Sequence, residues 1–144
     1  MKKDQSKVIR EQATRSATRE HSVPLYLTSS FIFDSAEQGR AIFADEEEGM
    51  VYSRYANPNT SEFINRVCKL ENAEAGLSFA SGMAAVFASF ASFIKSGDHI
   101  VSSRAIFGST HQLLTQLFPR WGVTYTYVDS PAIEEWEKAI QPTT

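Results

Sequence analysis

The residues of this chain best suited to hold an anion are Tyr52 and Arg54, two positions apart, and the run Ser81-Gly82-Met83. Arginine brings a permanent charge and a planar fork that matches phosphate, and tyrosine brings a directional O–H donor. On an extended segment, residues two apart point to one face, so both side chains can reach the same group. Ser81-Gly82-Met83 stands where a short apolar stretch gives way to an apolar helix. The first N–H groups of a helix have no intrahelical acceptor and lie at its positive end, so those of Gly82 and Met83 can donate to phosphate oxygens. Glycine also lets a ligand come close to the backbone. Together the two segments describe a phosphate clamp. Taken locally, each also has a plainer reading, with Ser81 a simple N-cap, Gly82 a tight turn, and Tyr52 and Arg54 surface residues.

Phe107, just before Gly108, is a third candidate, able to stack on a planar group but without a hydroxyl to move a proton; its alternative role is core packing. Other chemistries find little support. His21, His99 and His111 show no i,i+4 metal pair and no Cys/His cluster, so they read as structural or surface residues. A G-x-S-x-G elbow, a phosphate loop ending in Gly-Lys-Ser/Thr and a G-x-G-x-x-G fingerprint are all missing. Cys68 is the single cysteine and cannot form an internal disulfide. A net charge of −3, with arginines scattered along the chain, provides no basic field for nucleic acid. No signal-peptide core or long uncharged apolar run is present, and a reducing cytoplasm is the expected setting.

The elements that must position these residues follow from periodicity and punctuation. Residues 1 to about 20 read as a polar, mobile arm, and 23–33 as an aromatic extended segment around Pro24. Asp34 or Ser35 is placed to cap a short helix over 36–45 that the acidic run Glu46-Glu47-Glu48 and Gly49 end. A second helix is expected over 59–75, with Phe63, Ile64, Val67 and Leu70 as its apolar stripe and Gly76 as its stop. From 77 onward strands and helices alternate: strand 77–80, helix 83–95, strand 99–102, helix 109–120, strand 123–128 and a helix from Pro131 to about 140. That βαβαβα order predicts an α/β fold with a mostly parallel sheet covered by helices. The helix after Gly82 is apolar nearly all round, which calls for cover on both sides.

Five segments stand in an order and spacing that resemble the Cys/Met-metabolism family of pyridoxal-phosphate (PLP) enzymes. They are Pro24-Leu25-Tyr26-Leu27-Thr28-Ser29-Ser30-Phe31, Tyr52-Ser53-Arg54, Asn57-Pro58, Ser81-Gly82-Met83 and Phe107-Gly108-Ser109-Thr110. The resemblance implies a fold-type-I, aspartate-aminotransferase-like architecture. Residues 1–58 would form an N-terminal arm and inter-subunit segment, and 59–144 the beginning of the PLP-binding large domain. It implies PLP as cofactor, held by Tyr52, Arg54, Ser81, Gly82, Met83 and Phe107, the last at the place of a tyrosine that in many members stacks on the pyridine ring. The absent hydroxyl tilts the choice toward γ-replacement on an activated homoserine ester, as in O-succinylhomoserine sulfhydrylases and cystathionine γ-synthases. The alternatives are γ-elimination by a cystathionine or methionine γ-lyase, and a non-catalytic assembly or phosphate-binding module. The resemblance also implies a homo-oligomer, a dimer of dimers, in which Tyr52 and Arg54 serve the neighbouring subunit. Neither Lys95 nor Lys138 has the context of the family's Schiff-base lysine. That lysine is expected beyond Thr144, which makes the chain an N-terminal fragment expected to be inactive alone.

Overall fold

The computed structural model describes residues 15–144, so most of the polar arm expected over 1–20 lies outside the described residues. Two compact units are distinguishable, one ending at Ser78 and one over Phe79–Thr144.

The first unit carries an extended segment and two helices. Ser35 caps α1 (Ala36–Phe43) by accepting from the Gln38 N–H at 3.1 Å. Asn57 caps α2 (Pro58–Glu71), whose first residue is a proline, a position where the missing N–H costs nothing. The helix expected to run to a stop at Gly76 ends earlier. Asn72 takes the left-handed conformation (φ 55°) and its N–H returns to the Cys68 carbonyl, a closing turn that asparagine tolerates better than most side chains. Two asparagines then tie the extended segment to the start of α2. Asn59 accepts from the Tyr26 N–H (2.8 Å) and donates to the Pro24 carbonyl (2.7 Å), while Asn57 donates to the Tyr26 carbonyl at 3.1 Å.

The second unit holds the α/β core. Its sheet has two parallel strands, β1 (His99–Ser103) and β2 (Thr124–Val128), with His99 opposite Thr124 and Ser103 opposite Val128. Each strand starts from a glycine turn with positive φ, Gly97 (94°) and Gly122 (77°), and the Gly97 N–H donates to the Gly122 carbonyl at 2.9 Å. The strand expected over 77–80 does not form, since these residues join no ladder, and Leu77 and Phe79 are exposed. Apolar alternation nominates a strand; only a hydrogen-bonded neighbour makes one.

Helix α3 (Gly82–Ala91) precedes β1, and α4 (Gly108–Gln112) follows it, between the two strands. The helix expected over 109–120 changes pitch twice, widening into a π turn at Leu113–Leu117 and tightening into a 3-10 turn at Phe118–Trp121. Pro119 accounts for this, since it has no N–H to give and its ring clashes with a regular preceding turn. The chain then passes through β2 to α5 (Ile133–Ala139).

Leu114 and Phe118 are fully buried and form the core with Ile100 and Val123. Phe87 and Phe90 of α3 pack onto the Phe118 ring at centroid distances of 6.4 and 5.7 Å. This covers one side of α3, and no residue of that helix is fully buried among the described residues.

Candidate functional site

Ser81 is the N-cap of α3 and its Oγ accepts from the Ala84 N–H at 3.2 Å, so the capping role is real. Its hydroxyl hydrogen is still available to a ligand, because only the oxygen is used in the cap. The N–H groups of Gly82 and Met83 precede the first intrahelical bond, in which Ala85 N–H donates to the Ser81 carbonyl. Gly82 is not left-handed, so no tight turn requires a glycine there. A Cβ placed on it would meet no heavy atom within 4 Å. The backbone does not need this glycine, and the missing side chain keeps open the space beside two free donors. That geometry fits an anion such as a phosphate.

Tyr52 and Arg54 sit in the first unit. Tyr52 forms an antiparallel bridge with Ser30, flanked by the Phe31 N–H to Val51 carbonyl and Ser53 N–H to Ser29 carbonyl bonds. The extended reading ends there: residues 53–55 turn, with the Tyr55 and Ala56 N–H groups both donating to the Tyr52 carbonyl. The turn carries the guanidinium back over two rings, with Arg54 Cζ 5.3 Å from the Tyr52 centroid and 5.0 Å from that of Tyr55. Arg54 is exposed and has no carboxylate partner among the described residues, so its N–H fork is open to an incoming anion. Asn57 braces this turn by donating to Ser53 Oγ at 3.0 Å, and Ser53 Oγ donates to the Thr28 carbonyl. Asn57 is buried. Its bracing role escaped sequence reading because an Asn-Pro pair signals only a turn or a cap.

Phe107 lies past the carboxyl end of β1, immediately before α4, with its ring 70% exposed. Ligands of open α/β folds bind at that end of the strands. Met83 and the α4 residues Ser109 and Gln112 line one shallow cleft, which places the first turns of α3 and α4 beside each other.

The histidines have roles of unequal kind. His99 is buried and both its nitrogens are engaged at 2.8 Å, Nδ1 with Thr144 Oγ1 and Nε2 with Thr126 Oγ1, as a structural residue should be. His111 pairs through Nδ1 with the Tyr127 hydroxyl at 2.7 Å. His21 is exposed. Lys138 pairs with Glu135 at 2.7 Å and Lys95 is exposed. No group of three metal-ligating side chains occurs among the described residues. No helix among them is long and apolar enough to cross a membrane.

The family model described as Cys/Met metabolism PLP-dependent enzyme matches residues 5–144. The chain belongs to this family. It is 42% identical over 123 residues to an L-methionine gamma-lyase of Fusobacterium nucleatum subsp. nucleatum, covering 85% of this chain and 31% of that protein. To an O-succinylhomoserine sulfhydrylase of Pseudomonas aeruginosa it is 40% identical over 136 residues, covering 94% and 34%. The chain thus spans about a third of the length of the curated relatives it matches. A Campylobacter jejuni crystal structure holding N'-pyridoxyl-lysine-5'-monophosphate superposes with a TM-score of 0.89 at 28% identity, over 98% of this chain and 35% of that one. A cystathionine gamma-lyase of Lactobacillus plantarum in complex with L-serine gives a TM-score of 0.84 at 31% identity, over 99% and 35%. The fold is therefore that of fold-type-I PLP enzymes and the family's cofactor is PLP, to which the open, donor-lined start of α3 is chemically suited.

Proposed function

We propose that the whole protein catalyses PLP-dependent γ-replacement on an activated homoserine ester, as an O-succinylhomoserine sulfhydrylase or cystathionine γ-synthase does. In this reading residues 1–58 are an arm and inter-subunit segment, 59–144 open the cofactor-binding domain, and the protein works in the cytoplasm. The observation that carries it is the start of α3, where Ser81 caps the helix, the Gly82 and Met83 N–H groups precede the first intrahelical bond, and a Cβ on Gly82 would meet no heavy atom within 4 Å.

Bound PLP supplies an electron sink for bond breaking in an amino acid. The residues of this chain bind and orient. Ser81, Gly82 and Met83 hold the phosphate by hydrogen bonds at the positive end of α3. Arg54 adds a charge-assisted contact and Tyr52 an O–H donor, with Tyr55 and Tyr52 supporting the guanidinium from their ring faces. We assign these two residues to the phosphate of the neighbouring subunit in a homo-oligomer, a dimer of dimers. Phe107 stacks on the cofactor ring and moves no proton, because its ring has no hydroxyl.

The 42% identity to an L-methionine gamma-lyase favours a second reading, γ-elimination. The two readings separate by assay of the purified whole protein with PLP. Under γ-replacement, O-succinylhomoserine reacts with sulfide to give homocysteine, or with cysteine to give cystathionine, releasing succinate in either case, while L-methionine releases thiol far more slowly. Faster thiol release from methionine supports the lyase, and turnover of neither substrate overturns both readings.

A further inference from the structure

The Phe107 ring stands in the open without a ring partner among the described residues, so its direction is set by the backbone that carries it. That backbone is the start of α4, which has no side-chain cap, and a Cβ on Gly108 would meet nothing within 4 Å. What holds the turn comes one residue-turn later. The His111 N–H donates to the Phe107 carbonyl at 3.0 Å, and the His111 imidazole reaches across to β2, where Nδ1 lies 2.7 Å from the Tyr127 hydroxyl. The two rings are nearly parallel, 15° apart with centroids 5.6 Å from each other.

Tyr127 is itself well held. It pairs with Ser102 across the sheet, meets the Tyr125 ring edge-on at 5.2 Å, and carries the Arg104 guanidinium 4.8 Å from its ring centroid. Arg104 in turn donates to Asp129 at 2.9 Å, just beyond the end of β2. Burial, with Tyr125 beside it, pushes the Tyr127 phenol up against the smaller opposing pull of Arg104, so the hydroxyl keeps its proton at neutral pH.

We propose that Tyr127 and His111 are positioning residues for Phe107: their hydrogen bond locks the first turn of α4 to β2 and so sets where the Phe107 ring stands against the cofactor. This rests on the assignment of Phe107 to the cofactor ring made above. A hydrogen bond between a sheet residue and the first turn of a helix fixes both the helix's rotation and its distance from the sheet, and the exposed ring one turn earlier follows both.

The test uses the whole protein with PLP, reading the PLP dissociation constant by equilibrium dialysis and the visible circular dichroism of the bound cofactor. Tyr127→Phe keeps the ring and removes the hydroxyl; it is expected to raise the dissociation constant about three- to tenfold and to change the dichroism. His111→Leu should do the same, whereas His111→Gln, which keeps an acceptor, should stay nearer the wild type. In a Phe107→Ala background Tyr127→Phe should add nothing further, because the two changes act through one ring. Wild-type affinity and dichroism in Tyr127→Phe, alongside a clear loss in Phe107→Ala, overturn the positioning role alone. Unchanged affinity in Phe107→Ala overturns the assignment of Phe107, and the positioning proposal with it. Should Tyr127→Phe fold poorly, the contrast between His111→Leu and His111→Gln decides the matter, and equal behaviour of those two counts against the proposal.

Discussion

Arg54 shows how a single residue can be readable in type and unreadable in pose. A guanidinium near a tyrosine suggests an anion contact, but its stacking over both Tyr52 and Tyr55 depends on the turn at 53–55. Arg54→Ala in the whole protein is expected to weaken PLP binding by roughly 1.5–3 kcal/mol, the worth of a charge-assisted hydrogen bond, and Arg54→Lys to recover only part. Equilibrium dialysis decides, and an Arg54→Ala protein that binds PLP normally removes Arg54 from the site. Gly82→Ala separates the two readings of that glycine. The backbone there accepts alanine, so thermal unfolding of the apo-protein should be unchanged or improved by up to about 1 kcal/mol. PLP affinity should nevertheless fall, because the new methyl occupies the space beside the Gly82 and Met83 donors. Equal affinity in both proteins would show that the open space serves no ligand.

At the scale of elements, the stretch from Gly108 to Trp121 is the informative one. Its apolar residues recur at helical spacing, and the sequence predicts one helix where the structure has α, π and 3-10 turns in succession. The π turn contains Leu114 and the 3-10 turn contains Phe118, the two most buried side chains of the described core. Leu114→Ala should therefore cost about 2–5 kcal/mol of stability, through lost burial and the cavity left behind. Chemical denaturation of the whole protein measures this, and a loss below about 1 kcal/mol would mean that the surrounding rings collapse into the gap. Asn57 matters similarly in the first unit, where it caps α2 and bonds to Tyr26 and Ser53 at once.

At the scale of the whole molecule, the residues proposed to hold the phosphate belong to different compact units, Tyr52 and Arg54 to the first and Ser81, Gly82 and Met83 to the second. The proposed assignment of Tyr52 and Arg54 to a neighbouring subunit makes a sharp expectation for complementation. An Arg54→Ala protein is mixed with one lacking the Schiff-base lysine, both at full length. If the clamp acts in trans, one site of the mixed dimer carries both lesions and the other carries none, so activity returns toward half per mixed dimer. Mixed dimers that form and stay at the level of the two parents place Arg54 in its own subunit's site.

Much of this was legible in the order of residues alone. Five short motifs resemble the family in order and spacing, and the family match over residues 5–144 bears that out, while the β1, β2 and α1 segments are recognisable from β-branched runs and a serine cap. Those are local requirements, met by neighbours in the chain. The failed strand at 77–80 and the pairing of His111 with Tyr127 depend on groups that meet only in space, and the turn that stacks Arg54 starts where Ser53 is tied to Ser29 and Thr28; the pitch changes trace to Pro119, which the sequence shows but helical periodicity overrides. A strand requires a ladder partner and a guanidinium's pose requires rings to rest on. The imidazole of His111 acquired a role only once β2 brought a hydroxyl to 2.7 Å from it. Periodicity records which face of an element is apolar, while tertiary packing decides what that face, and each polar group beside it, will touch.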